Sequence, residues 1–103
     1  MKVDDLVNRV DELLAMGKEV LTTRRRSDFG GEFVDSGLMS GFRSASLSFV
    51  ERIYGLTHPH FSEIKEGAKG SRPGDADKCI AILKAIRSEI EGGWLFSIKG
   101  LVT

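Results

Sequence analysis

Apolar residues recur in steps of three and four through the first part of the chain: Val3, Leu6, Val7, Val10, Leu13, Leu14, Val20 and Leu21. That spacing lays one stripe along a helix and predicts a helix from about residue 3 to residue 26. Asp4, Asp5, Asp11 and Glu12 fall in its first half, and Arg24, Arg25 and Arg26 close it. This order complements a helix macrodipole, negative side chains near the N-terminus and positive ones near the C-terminus. Between Ser27 and Gly37 the period is lost. Glycine, serine and aspartate there interrupt Phe29, Phe33 and Val34, which predicts a loop whose aromatics fold back on the core.

A second stripe, Leu38, Phe42, Ala45, Phe49 and Ile53, starts behind two good N-cap residues, Asp35 and Ser36. Leu47, Val50 and Tyr54 widen that face, and Gly55 stands where a glycine cap ends a helix. Pro59 suits the first position of a short helix reaching about Gly67, with Thr57 or His58 just outside it. Gly67 to Gly74 reads as a linker whose tip is the most flexible point of the chain. The last long helix is expected from Asp75 to Glu91, faced by Ala76, Ile80, Leu83, Ala85, Ile86 and Ile90, with Cys79 and Ile82 adjoining. Gly92 and Gly93 end it. The fold class that follows is all-α, a small irregular helical bundle of three main helices plus one short helix. Its expected core is Leu6, Val10, Leu13, Phe42, Ala45, Phe49, Ile53, Ile80, Leu83 and Ile86.

After Gly93 the alternation of apolar and polar positions stops. Trp94, Leu95, Phe96, Ile98, Leu101 and Val102 follow with one lysine and no acid. A helix would wrap these side chains around too much of its circumference, and a strand would put Leu95 and Phe96 on opposite faces. Trp94, Leu95, Phe96, Ile98 and Leu101 are therefore expected to form an interface, with a second copy in a homodimer or with a further domain of the same protein. Packing back onto the domain itself is the third option. On the favoured reading residues 1–103 are a single helical domain, the N-terminal part of a longer protein.

The sequence has 103 residues, 15 Lys+Arg against 15 Asp+Glu, and so no formal net charge. That balance speaks against a dedicated nucleic-acid or membrane-surface binder, which carries a basic excess. Nucleic acid is thus the less favoured partner. Cys79 is the only cysteine, which excludes an intramolecular disulfide and suits a reducing compartment. No apolar run of signal-peptide or membrane-spanning type is present, so a cytoplasmic location is expected.

Arg52 and His58 have the spacing R-x5-H, which resembles the motif of the α-helical, dimeric HEPN ribonucleases. Ile53 stands where that motif usually carries a polar residue. The resemblance implies His58 as an acid/base and Arg52 as a stabiliser of phosphate charge, the two meeting across a dimer cleft. His58 and His60 flank Pro59, but a metal site needs three or four ligands and no further histidine exists, so neither metal nor cofactor is expected. Arg24, Arg25 and Arg26 are the basic cluster and the candidate contacts to nucleic-acid phosphates; their alternative role is to solvate a helix end. Cys79, with Ala76, Ile80 and Leu83 as stripe neighbours, reads as a buried, inert thiol.

The stretch from Gly41 to Gly55, followed by His58-Pro59-His60-Phe61, and the later run Ile86 to Leu95 resemble the helical N-terminal region of uncharacterised prokaryotic proteins. Some of those are encoded near phage-defence (abortive-infection) genes. The likeness covers roughly residues 38 to 95 and rests on packing and turn features. It implies a bacterial cytosolic protein whose helical region precedes another helical domain, and it carries over no catalytic residue. The function expected is a non-catalytic helical interaction or assembly module with a defence-associated setting. The alternative is a HEPN-like RNA-binding or ribonuclease domain using Arg52 and His58.

Overall fold

The computed structural model describes residues 2–94, so the expected interface residues Leu95, Phe96, Ile98 and Leu101 lie outside the described residues. Four helices follow in order: α1 (Val3–Thr22), α2 (Ser36–Tyr54), α3 (Pro59–Gly67) and α4 (Pro73–Glu91). A two-stranded hairpin, β1 (Arg25–Arg26) and β2 (Glu32–Phe33), joins α1 to α2. Three long helices and one short one make an all-α bundle, as the apolar periodicity predicts.

The helices form a ring in which each packs on the next, and α4 closes it by packing most extensively on α1. Pairs of contacting residues give the directions. Arg87 meets Asp11, and Ile80 lies over Gly17, so α1 and α4 are antiparallel. Ser46 lies beside Cys79 and Tyr54 meets Glu89, so α2 and α4 are parallel across the ring. His60 also meets Glu89 while Gly67 lies against Lys78, so α3 runs back between them. Gly17 of α1 faces side chains of both α2 and α4. A Cβ there would stand 2.7 Å from both Phe42 Cζ and Ile80 Cγ1.

The caps follow from the residues at the helix ends. The Asp35 carboxylate accepts the Leu38 N–H at 2.8 Å and starts α2, and Gly55 ends it at φ 92°. His58 caps α3, with Pro59 filling the first turn. α4 starts at Pro73 rather than Asp75, because the proline also fits a first helical turn. The Asp75 carboxylate reaches back to the Arg72 N–H at 3.0 Å. The linker is shorter than expected, and Val34 N–H pins it by donating to Ser71 O at 2.9 Å.

Two expectations about the first connection are corrected. α1 stops at Thr22, not Arg26. The Thr22 and Thr23 hydroxyls turn back onto Glu19 O and Val20 O, each at 2.6 Å, and Thr23 Oγ1 also accepts the Asp35 N–H. These local bonds compete with a further helical turn. Arg25 and Arg26 then pair as a strand with Phe33 and Glu32. Phe29 does not fold back on the core. It is 101% exposed at the hairpin tip, whereas Phe33 is half-buried and Val34 buried.

The core holds Leu6, Val10, Leu13, Phe42, Phe49, Leu83 and Ile86 as expected. Ala45, Ile53 and Ile80 are only partly buried, and Leu38 is exposed. Met39, Ser46 and Val50 are buried instead, because α2 faces α1 on one side and α3 and α4 on the other. Its buried face is thus wider than one stripe.

Candidate functional site

Ring geometry gathers the chemistry at one end, where α1 and α3 begin and α2 and α4 finish. On one side of that end Tyr54, His58, His60 and Glu89 form a cluster. The rings of Tyr54 and His58 lie 4.4 Å apart, those of Tyr54 and His60 5.1 Å, and those of the two histidines 4.6 Å. Tyr54 O–H donates to Glu89 Oε1 at 2.5 Å, and His60 Nε2 lies 3.1 and 3.2 Å from the two Glu89 oxygens. His58 Nδ1 accepts the His60 N–H at 3.0 Å.

Burial alone would raise the Glu89 carboxyl. The hydrogen bonds from Tyr54 and His60 and the charge of the imidazoles outweigh it and hold the group below the usual glutamate range. Tyr54 is driven the other way, first by burial and then by its bond to Glu89 and the carboxylate charge. The result is a carboxylate kept ionised and a phenol kept protonated. Glu89 engages both oxygens inside the cluster, which joins α2, α3 and α4 as a latch.

The latch gives a pH prediction. A carboxyl held below its unfolded value adds stability that is complete above that value, near 4.5, and is lost as pH falls through the lower folded value. Glu89 is about a third exposed, so solvent screening limits the effect to below about 1 kcal/mol. Urea midpoints of wild type and Glu89→Gln should differ at pH 6 and converge toward pH 3. A gap that persists unchanged at acid pH would show that the charge of Glu89 adds nothing.

Arg52 does not join this cluster. It lies on the other side of α2, in a groove between α1 and α2 lined by Asp5, Arg9, Ala45, Ser48, Phe49 and Ile53. The groove encloses about 540 Å³. Its floor is apolar, from Ala45, Phe49 and Ile53, and its rim carries both signs of charge. Arg9 leans toward Glu12 at 3.5 Å, and Asp5 Oδ2 accepts the Lys2 N–H at 3.3 Å. Within one chain Arg52 and His58 therefore occupy different faces. Two further apolar side chains stand in solvent at the same end: Leu56 in the α2–α3 turn and Trp94 after α4, 60% and 66% exposed.

The remaining candidates are dispersed. Cys79 is buried between α2 and α4. Burial pushes its thiol up to about 11, and the nearby Ser46 hydroxyl and Arg43 guanidinium offset only part of this, so the sulfur is a packing group. Arg24 pairs with Glu32 at 3.2 Å on the hairpin, at the opposite end of the bundle, where Arg25 and Arg26 are exposed. Among the described residues no group of three His, Cys, Asp or Glu is arranged to hold a metal ion, and no helix is long and apolar enough to cross a membrane.

Reading the sequence for spacing does not find Tyr54, Glu89, Asp5 or Arg9. Glu89 is 29 residues from His60, so no local motif links them. The one available signal is that α1 carries Asp5 and Arg9 opposite the apolar end of α2. Scanned against protein-family models, curated proteins and solved structures, the chain matches none of them.

Proposed function

We propose that the domain is a non-catalytic helical assembly module that pairs with a second copy of itself through the end where α1 begins and α4 finishes. The observation that carries this reading is the groove between α1 and α2, left open beside exposed Leu56 and Trp94. Its rim holds an acid, Asp5, and two arginines, Arg9 and Arg52. A surface with both signs suits a two-fold partner, in which Asp5 of each copy faces an arginine of the other. Trp94, the last described residue, stands at this same end, and the apolar sequence that it opens is expected to add to the interface. Burying a large apolar side chain contributes roughly 1.5–3 kcal/mol, so a few suffice for micromolar pairing after the costs of association. The bacterial, defence-associated setting rests on the family resemblance alone.

Light scattering at dilute and concentrated protein tests the reading. The mass should rise to that of a dimer, and Arg52→Glu should weaken the association about tenfold or more by putting like charges on the rim. Arg52 is exposed, so this change leaves the fold intact. A strict monomer at high concentration, or a dimer indifferent to Arg52→Glu and Trp94→Ser, would overturn it.

A further inference from the structure

The hairpin at the opposite end presents an arrangement that the assembly reading does not use. Antiparallel pairing puts Arg25 beside Phe33 on one face of the hairpin, and the Arg72 guanidinium lies over the Phe33 ring at 5.2 Å. That face therefore reads Arg25, Phe33, Arg72. Arg26 and Glu32 share the other face, where Glu32 neutralises Arg24. Arg25, by contrast, has no acidic partner among the described residues.

Phe29 projects from the tip of this hairpin, and the backbone holds it there. Gly30 N–H donates to Ser27 O at 3.1 Å, Ser27 N–H donates to Gly31 O at 2.9 Å, and Phe29 N–H donates to Ser27 Oγ at 3.2 Å. Gly30 and Gly31 take φ of 91° and 80°, values that other side chains rarely adopt, so the turn depends on this glycine pair. At its base the hairpin is tied to the bundle by Val34 to Ser71 and by Asp35 to Thr23. The ring thus stands in water on a braced support.

We infer that this hairpin is a binding site for single-stranded nucleic acid, with Phe29 stacking on an unpaired base and Arg25 and Arg72 contacting the flanking phosphates. A duplex offers the tip no free base face. A single strand offers one at every nucleotide, which is why aromatic side chains interleaved with cations are its usual platform. The neutral net charge is compatible with such a site, because Glu32 is paired with Arg24 and the cations Arg25, Arg26 and Arg72 outnumber the acid at the tip, Asp28, so that binding is modest and sensitive to salt. The site is independent of the self-association proposed above, since it uses the other end of the bundle.

Fluorescence anisotropy tests it with labelled oligothymidylate and oligouridylate of about 15 nucleotides and the full chain. Either strand should bind at about 50 mM salt, with log K falling against log salt at a slope of roughly −1.4 for two phosphate contacts. Phe29→Leu should weaken binding roughly 5- to 100-fold, because leucine keeps the apolar contact and loses the stacking face. Phe29→Trp should restore it. Arg25→Ala should bring the slope to about −0.7. Phe29 packs on nothing, so circular dichroism of these variants should match wild type. No binding of either strand, equal binding of a duplex, or equal affinity of Phe29→Leu and wild type would each overturn the inference. In the last case the tip would be a contact for an apolar protein surface.

Discussion

Phe42→Ala should cost the fold about 3–5 kcal/mol, the range for removing a fully enclosed aromatic ring. Phe42 is 0% exposed and is among the largest fully buried side chains. It reaches from α2 to the point where α1 and α4 cross, so its loss opens a cavity bordered by three helices. A domain of this size is held by only about 5–15 kcal/mol in all. The melting temperature should therefore fall by on the order of 20 °C. A thermal melt followed at the helical signal measures it. A loss below about 1 kcal/mol would mean that the surrounding helices close over the gap, and that the three-helix contact is not as tight as the Gly17 distances require.

The second large effect comes from the other partner in that contact. Gly17→Leu should destabilise by about 3 kcal/mol or more, although almost any residue is better than glycine inside a helix by up to about 1 kcal/mol. The reason is space. A Cβ alone would meet Phe42 and Ile80 at 2.7 Å, and leucine adds three more carbons in the same direction. Gly17→Ala should show the two terms nearly opposed, with a net loss below about 2 kcal/mol. Urea denaturation of a double-mutant cycle separates them. Trimming Phe42 to alanine makes room for a side chain at position 17. The double variant Gly17→Leu/Phe42→Ala should then be more stable than the sum of the singles by about 1–2 kcal/mol. Additive losses would show that Gly17 is required for some reason other than the ring of Phe42.

Much of the bundle could be read along the chain, because its strongest signals are local. Asp35 before the second stripe, Gly55 after it and Pro59 at the next start each act within a few residues, and each stands where it was expected. The end of α1 was not legible in the same way. Arg24 to Arg26 continue a helical charge pattern, and what stops the helix is a pair of threonine hydroxyls and a distant N–H from Asp35. The hairpin strands are two residues each, too short to show an alternating pattern. Ala45 and Ile53 lie on a correct apolar stripe, yet they line a groove, because the facing positions of α1 are Asp5 and Arg9. Whether a stripe is filled depends on its partner helix, which the spacing along one helix does not contain. The latch around Glu89 is invisible for a related reason: its members come from three elements.

The order in which the ring closes bears on how the chain acquires its structure. Three of its four seams join helices that are consecutive in the chain, and those can form as soon as each hairpin of helices exists. The fourth seam, between α1 and α4, is the most extensive and joins the two ends of the ring. Until α4 has left the ribosome, Leu6, Val10 and Leu13 of α1 have lost one wall of their surroundings. The α1–α4 seam is thus expected to form last, because it joins the residues farthest apart along the chain. Asp11 and Arg87, 76 residues apart and bonded at 2.7 Å, mark the completion of that seam.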